Sequence, residues 1–184
     1  GTVYVFDGKI AVEILKSDNF RNFDLHKSVL ELERLTGISF SASHRIFGNL
    51  APVRIGAGLF GNERELLVSP QHRMVLAGQD TQLLFGEDEV LVAAKHLTNM
   101  DGVDRIETGK VSYFHIMFEQ HEVIFANGAA TESFHPGHQG LGAIDDAARD
   151  ELFTLFPELR SDPGAFGPSA RQSLTCGSAR LLVA

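Results

Sequence analysis

Short apolar segments separated by turn residues recur along most of the chain. Residues 1–15 form two such segments around Asp7-Gly8, a dipeptide that favours the tight turn of a β-hairpin. Residues 29–40 have mixed periodicity that also fits a helix, although we favour a strand. Further strands are predicted over 52–55, 66–68, 74–76, 83–85, 89–92, 111–118 and 123–126, with a helical turn over 93–97. Turn signals about every ten residues are typical of an all-β fold.

The pattern changes after residue 144. Residues 145–159 place apolar side chains at helical spacing behind an acidic first turn: Ala148, Leu152, Leu155 and Phe156. This predicts an amphipathic helix whose last turn stops near Pro157. Residues 160–184 are rich in Gly, Pro and Ser and predict an extended or poorly ordered tail. The sequence therefore predicts a β domain over 1–144, followed by a C-terminal helix and tail over 145–184.

Composition narrows the classes of function. The chain has 184 residues, 43% apolar and 22% charged, with a net charge of −8. This balance argues against binding to nucleic acid or to an anionic membrane. No apolar run reaches the roughly 18 residues of a spanning helix, and the N-terminus lacks a signal-peptide layout, so we expect a soluble chain. A single cysteine, Cys176, excludes an internal disulfide and leaves localisation open.

Two segments carry histidines in a defined local setting. The sequence Ser-Pro-Gln-His, from Ser69 to His72, directly follows a predicted strand. Residues 113–134, YFHIMFEQHEVIFANGAATESF, hold His115 and His121 six positions apart, before a turn at Asn127-Gly128. On one regular strand both histidines would face the same side. Imidazole exchanges protons near neutral pH, which makes these histidines candidates for acid–base chemistry.

These two segments resemble the two inner blocks of the Hint domain, the module shared by hedgehog autoprocessing domains and inteins, and most closely its bacterial hedgehog/intein type. Residues 69–72 are similar to the family's Thr-x-x-His, with Ser in place of Thr. Residues 121–128 match His-x-x-x-Phe-x-Asn-Gly. Gly1-Thr2 and residues 12–15 resemble later parts of the family's opening block. The resemblance extends over about residues 1–159.

The resemblance implies a horseshoe-like fold of short strands with a pseudo-two-fold arrangement, and self-cleavage rather than multiple-turnover catalysis. A Cys or Ser four residues before Gly1 would attack its preceding carbonyl, with Ser69 positioning the peptide and His72 as acid. His115 or His121 would assist. We expect His72 and His121 to line one cleft near Gly1-Thr2. The partner is then an upstream segment of the same polypeptide, no cofactor or metal is required, and the 184-residue chain by itself is expected to be inactive.

Splicing is not expected. Inteins end the third block in His-Asn, and that Asn cyclises to cut the C-terminal junction. Residues 130–133 read Ala-Thr-Glu-Ser here. Cleavage at the N-terminal side, as in hedgehog-type domains, is therefore favoured.

Other interpretations remain open. A Hint-like fold also fits a non-catalytic binding or spacer module. His72 fits a turn-stabilising role, and His121 fits a hydrogen-bonded residue at a strand end. A metal site could draw on His115, His121, His135 and His138, but their spacing matches no zinc pattern and no Cys is nearby. Cys176 has no neighbouring histidine to activate it.

Overall fold

The computed structural model describes residues 3–6, 11–14, 51–106, 115–137, 141 and 146–183. In chain order the strands among them are β1 (Val3–Phe6), β2 (Ala11–Ile14), β3 (Val53–Ile55), β4 (Leu66–Val68), β5 (Arg73–Ala77), β6 (Glu89–Ala93), β7 (Val103–Arg105), β8 (His115–Met117), β9 (Val123–Ala126), β10 (Ala129–Glu132) and β11 (Gln172–Ser173). The helices are α1 (Gln79–Phe85), α2 (Asp146–Leu155) and α3 (Cys176–Leu182), with 3-10 turns at Ala94–His96, Pro157–Arg160 and Pro163–Phe166. Short strands dominate, so the predicted all-β class is confirmed.

The chain forms two compact units. The first contains a three-stranded antiparallel sheet in the order β2-β1-β8. The pairing of β1 with β2 confirms the hairpin predicted for residues 1–15, while its turn at Asp7-Gly8 lies outside the described residues. The strand or helix considered over 29–40 lies outside them as well.

The core of the first unit forms around β8 and α2. Among the described residues, one buried cluster is formed by Met117, Leu141, Leu152 and Leu159, and Phe134, Phe153, Phe156 and Phe166 pack against it. The helix predicted over 145–159 is confirmed as α2, which ends at Leu155. Pro157 then opens a 3-10 turn, since proline has no N–H to continue the helical bonding.

The described residues of the second unit form two sheets. The larger has the order β11-β6-β5-β10-β9, and the smaller has the order β4-β3-β7. Most of the pairs are antiparallel, with Met74 opposite Val92 in the larger sheet and Val53 opposite Val68 in the smaller. Side chains from both sheets build one buried apolar cluster: Val53, Ile55, Leu66, Met74, Val90, Val92, Leu97 and Val103 are among its members.

One predicted strand is wrong. Residues 83–85 end α1 instead, and Leu83 is 82% exposed. The buried Thr81 hydroxyl lies 2.7 Å from the carbonyl oxygen of Gly78 and 3.1 Å from that of Asp88, and its single proton donated between them ties the helix to its flanks. Gly86 closes the helix in the left-handed region, with φ of 72°. These local start and stop signals outweigh the apolar triplet.

The prediction of an extended or poorly ordered tail over 160–184 is also wrong. Asp162 caps the turn at Pro163–Phe166, accepting the N–H of Gly164 at 2.8 Å. β11 then pairs in parallel with β6, and Thr175 caps α3. Ala179 of α3 is fully buried in the core of the second unit. The segment rich in Gly, Pro and Ser is ordered here by the caps of Asp162 and Thr175 and by the turn that Pro163 opens. The domain boundary after residue 144 stays a prediction.

The surroundings of His96, which include Arg180 of α3, predict how the stability of the fold depends on pH. Burial lowers the pKa of His96 below its ordinary 6.5, and the positive charges of Lys95 and Arg180 lower it further. The unfolded chain therefore binds a proton more readily than the folded one, so stability falls as pH drops from about 6.5 through the folded-state pKa. We expect His96→Gln to lose less stability between pH 7.5 and 5 than the parent in urea unfolding. Parallel stability curves for the two proteins would contradict this.

The hairpin of β9 and β10 turns at Asn127-Gly128, where both residues have positive φ, 50° and 92°. Its backbone touches a neighbouring loop, because the N–H of Glu63 donates to the Asn127 carbonyl oxygen at 2.8 Å. A Cβ on Gly128 would lie 2.7 Å from the carbonyl oxygen of Gly61. Glycine is therefore required at position 128 both by conformation and by close approach.

We expect Gly128→Ala to destabilise the protein more than Gly86→Ala does. Gly86 also has a positive φ, of 72°, but a Cβ there would meet nothing within 4 Å. Its substitution should cost only the left-handed conformation, about 1–2 kcal/mol, and the contact with Gly61 should add to that cost at position 128. Urea unfolding measures the stability of both variants. Equal losses of stability would show that the contact with Gly61 adds no cost at position 128.

Candidate functional site

The turn from Ser69 to His72 connects β4 to β5 in the second unit. The backbone N–H of His72 donates to the carbonyl oxygen of Ser69 at 3.1 Å and lies 3.2 Å from its Oγ. On the other side, the carbonyl oxygens of Pro70 and His72 accept from Lys95 N at 3.0 Å and Ala94 N at 2.8 Å. The backbone that carries His72 is thus fixed from both sides, and the residue is half-buried.

Thr131 contacts the ring of His72. Thr131 lies on β10 opposite Met74 of β5 and is 1% exposed. Its Oγ1 forms a short hydrogen bond with His72 Nε2 and donates to the carbonyl oxygen of Arg73 at 2.8 Å. A carbonyl oxygen only accepts, so the single hydroxyl proton points to Arg73, and His72 donates from Nε2. Neutral His72 therefore carries its proton on Nε2.

Glu132 binds Arg73, the first residue of β5. Its Oε1 accepts the backbone N–H of Arg73 at 2.9 Å, and its Oε2 pairs with Arg73 Nη1 at 2.9 Å. The Glu132 side chain is 7% exposed. A buried carboxylate is stable only when it is paired and hydrogen-bonded, and Arg73 supplies both interactions. This ion pair anchors the residue next to His72.

His115 and His121 belong to the first unit. His115 begins β8, opposite Phe6 of β1. His121 is 6% exposed and hydrogen-bonded through both ring nitrogens. Nδ1 accepts the N–H of Ala170 at 2.9 Å, with Ser169 Oγ at 3.1 Å, and Nε2 lies 3.0 Å from the carbonyl oxygen of Ser133. Because Nδ1 accepts a backbone N–H, neutral His121 donates from Nε2.

A second histidine packs against His121. The ring of His135 lies edge-on at 4.9 Å between centroids. Its Nδ1 accepts the N–H of Gly137 at 3.1 Å, so its Nε2 donates to the carbonyl oxygen of Gly167 at 3.2 Å. Residues 166–170, which we call the C-terminal strap, therefore contact both histidines. Within the described part of the chain, no group of three His, Cys, Asp or Glu side chains is placed to hold a metal ion.

The predicted site residues thus fall into two sets. Ser69 and His72 share one turn in the second unit, whereas His115 and His121 belong to the first unit. Gly1 and Thr2 lie outside the described residues, so the expected cleft near them stays a prediction. The catalytic roles of all four residues stay predictions as well. Sequence reasoning missed Thr131 and Glu132, since only the pairing of β5 with β10 brings them to residues 72 and 73.

The family model of the Hint domain matches residues 5–138. This range includes both predicted motifs, at 69–72 and at 121–128, and it ends before the C-terminal strap. No curated protein and no solved structure matches the chain. Among the described residues, no helix is long and apolar enough to cross a membrane.

Proposed function

This chain belongs to the Hint domain family, and on that premise we propose that it is an autoprocessing domain that cleaves its own polypeptide upstream of Gly1. The proposed partner is the upstream segment, and the reaction requires no cofactor. The domain acts once on its own chain, so it is not a multiple-turnover enzyme.

The proposed reaction begins with an acyl shift. A Cys thiol or Ser hydroxyl four residues before Gly1 attacks the carbonyl carbon of the preceding residue. A C–S or C–O bond forms, the C–N bond breaks, and the departing nitrogen takes a proton from His72, while the proton lost by the thiol or hydroxyl returns to His72 through solvent. Ser69 orients the scissile peptide, and His115 or His121 assists. Water or another nucleophile then attacks the ester and releases the upstream segment.

The fixed position of His72 is the observation that carries this proposal. Its backbone is hydrogen-bonded on both sides of the turn, and its ring is held by Thr131. A general acid must stay within hydrogen-bond reach of the atom it protonates, so a histidine with a fixed ring suits this role. The near-neutral pKa typical of imidazole permits proton transfer in both directions.

We assign the domain to the bacterial, hedgehog-like type rather than to splicing inteins. Residues 130–133 offer no His-Asn pair for cleavage at the C-terminal junction. Glu132 stands within that stretch, and Arg73 binds its carboxylate. A carboxylate held in an ion pair cannot cyclise as an Asn amide does. This supports cleavage at the N-terminal side alone.

The test is a fusion in which a small reporter protein is followed by Cys, three linking residues and then Gly1. We expect dithiothreitol to release the reporter between pH 6 and 9, because the thiol attacks the thioester formed by the Cys. The matched control replaces this Cys by Ala and should stay intact. If both fusions stay intact at every pH, the autoprocessing proposal fails and a non-catalytic binding or spacer module is favoured.

A further inference from the structure

We propose that Thr131 is a positioning residue of this site, whose buried hydroxyl fixes both the orientation of the His72 ring and the location of its proton. This role rests on the proposed function, in which His72 is the acid that protonates the departing nitrogen. Thr131 itself contacts no reacting atom in this assignment and acts through His72.

Side chains of β10 bind the first residue of β5. The backbone of Arg73 is hydrogen-bonded by two side chains of β10. Glu132 accepts the Arg73 N–H, and Thr131 donates to the Arg73 carbonyl oxygen. Both peptide groups of Arg73 are thereby tied to fixed, buried side chains. The Thr131 oxygen that bonds Arg73 also bonds His72. One atom thus fixes the ring relative to its own backbone.

The same hydroxyl decides which ring nitrogen of His72 carries the proton. The Thr131 hydroxyl has one proton, which the Arg73 carbonyl oxygen takes, so the hydroxyl can only accept from His72 Nε2–H. The imidazolium also carries a proton on Nε2. The bond to Thr131 therefore persists in both protonation states, and His72 gains and loses its proton at Nδ1. Removal of the hydroxyl takes away the acceptor of Nε2–H, which shifts the neutral ring toward the other tautomer.

The test compares Thr131→Val, which removes the hydroxyl at similar volume, with Thr131→Ser, which keeps it. Thr81→Val is the matched control, because Thr81 is also buried, at 2% exposure, and its hydroxyl also lies within hydrogen-bond distance of backbone carbonyl oxygens. Nitrogen-15 NMR of the histidine rings in the 184-residue chain reports the tautomer of His72. Thiol-dependent release in the Cys fusion reports the rate.

We expect parent His72 to be protonated on Nε2, and Thr131→Val to show a mixture of tautomers with release about 10²-fold slower, as for other losses of positioning. Thr131→Ser should retain the parent tautomer and most of the rate. Thr81→Val should lower the unfolding midpoint and leave both readouts unchanged.

Three results would overturn the assignment: a parent His72 protonated on Nδ1, an unchanged tautomer in Thr131→Val, or equal slowing in Thr81→Val. If the tautomer shifts as expected but the parent fusion never releases its reporter, the role of Thr131 is supported and the autoprocessing proposal fails. The two failures are therefore distinguishable.

Discussion

Replacing His72 by Ala should slow thiol-dependent release from the Cys fusion by roughly 10²–10⁴-fold, which is the usual contribution of a general acid. The departing amide nitrogen would then leave without a proton donor. The initial rate of reporter release at pH 7 measures the effect. Ser69→Ala should cost less than either His72→Ala or His121→Ala, because Ser69 only orients the peptide in the proposed reaction.

The control for this variant is His96→Gln, a histidine substitution in the same unit. His96 lies in a different turn, beside Lys95 and near Arg180, and should leave the rate unchanged at pH 7. Urea unfolding of each variant shows whether the domain remains folded. A folded His72→Ala fusion that releases its reporter at the parent rate would remove His72 from the mechanism.

Replacing His121 by Ala should lower the free energy of unfolding by roughly 2–6 kcal/mol, since two backbone groups lose their hydrogen bonds to the ring, at about 1–3 kcal/mol each. These groups are the Ser133 carbonyl and the Ala170 N–H. The loss should be visible in urea unfolding at neutral pH. Because His121 is already bonded to the protein through both nitrogens, its effect on release should be smaller than that of His72→Ala.

Two conservative variants separate stability from catalysis at His121. His121→Asn can still accept from the Ala170 N–H, and His121→Gln can still donate to the Ser133 carbonyl oxygen. Each should recover part of the lost stability. If one recovers stability but not the rate of release, His121 has a role in the reaction itself. A His121→Ala protein as stable as the parent would contradict the structural role of its hydrogen bonds.

Local patterns predicted much of the fold. The hairpin of β1 and β2, the strands at β3 to β6, β8 and β9, and helix α2 all follow from apolar spacing and turn residues in adjacent positions. Failures arose where neighbouring polar residues decide the structure. Gly78, Thr81 and Gly86 make residues 83–85 the end of a helix, and Thr175 starts a helix in a segment rich in turn residues. Capping depends on particular hydrogen bonds that composition does not reveal.

The candidate site likewise has parts that could be predicted from the sequence and parts that could not. The turn that carries His72 was predictable because its residues are contiguous and resemble a family motif. Thr131 was not, since it lies 59 residues away along the chain and reaches His72 only through the pairing of β5 with β10. The C-terminal strap was likewise unpredictable, because it reaches His121 through the backbone N–H of Ala170 and His135 through the backbone carbonyl of Gly167. Neither a strand register nor a backbone contact leaves a recognisable mark in a single sequence.

Capture of the thioester intermediate tests whether the acyl shift occurs. The Cys fusion is incubated with hydroxylamine at pH 7, and the released reporter is analysed by mass spectrometry of its C-terminal peptide. The acyl shift predicts a hydroxamate on the last reporter residue, formed as hydroxylamine attacks the thioester and the Cys thiol departs. His72→Ala should form it more slowly. A reporter released only with an ordinary carboxylate, or never released, would rule out the acyl shift.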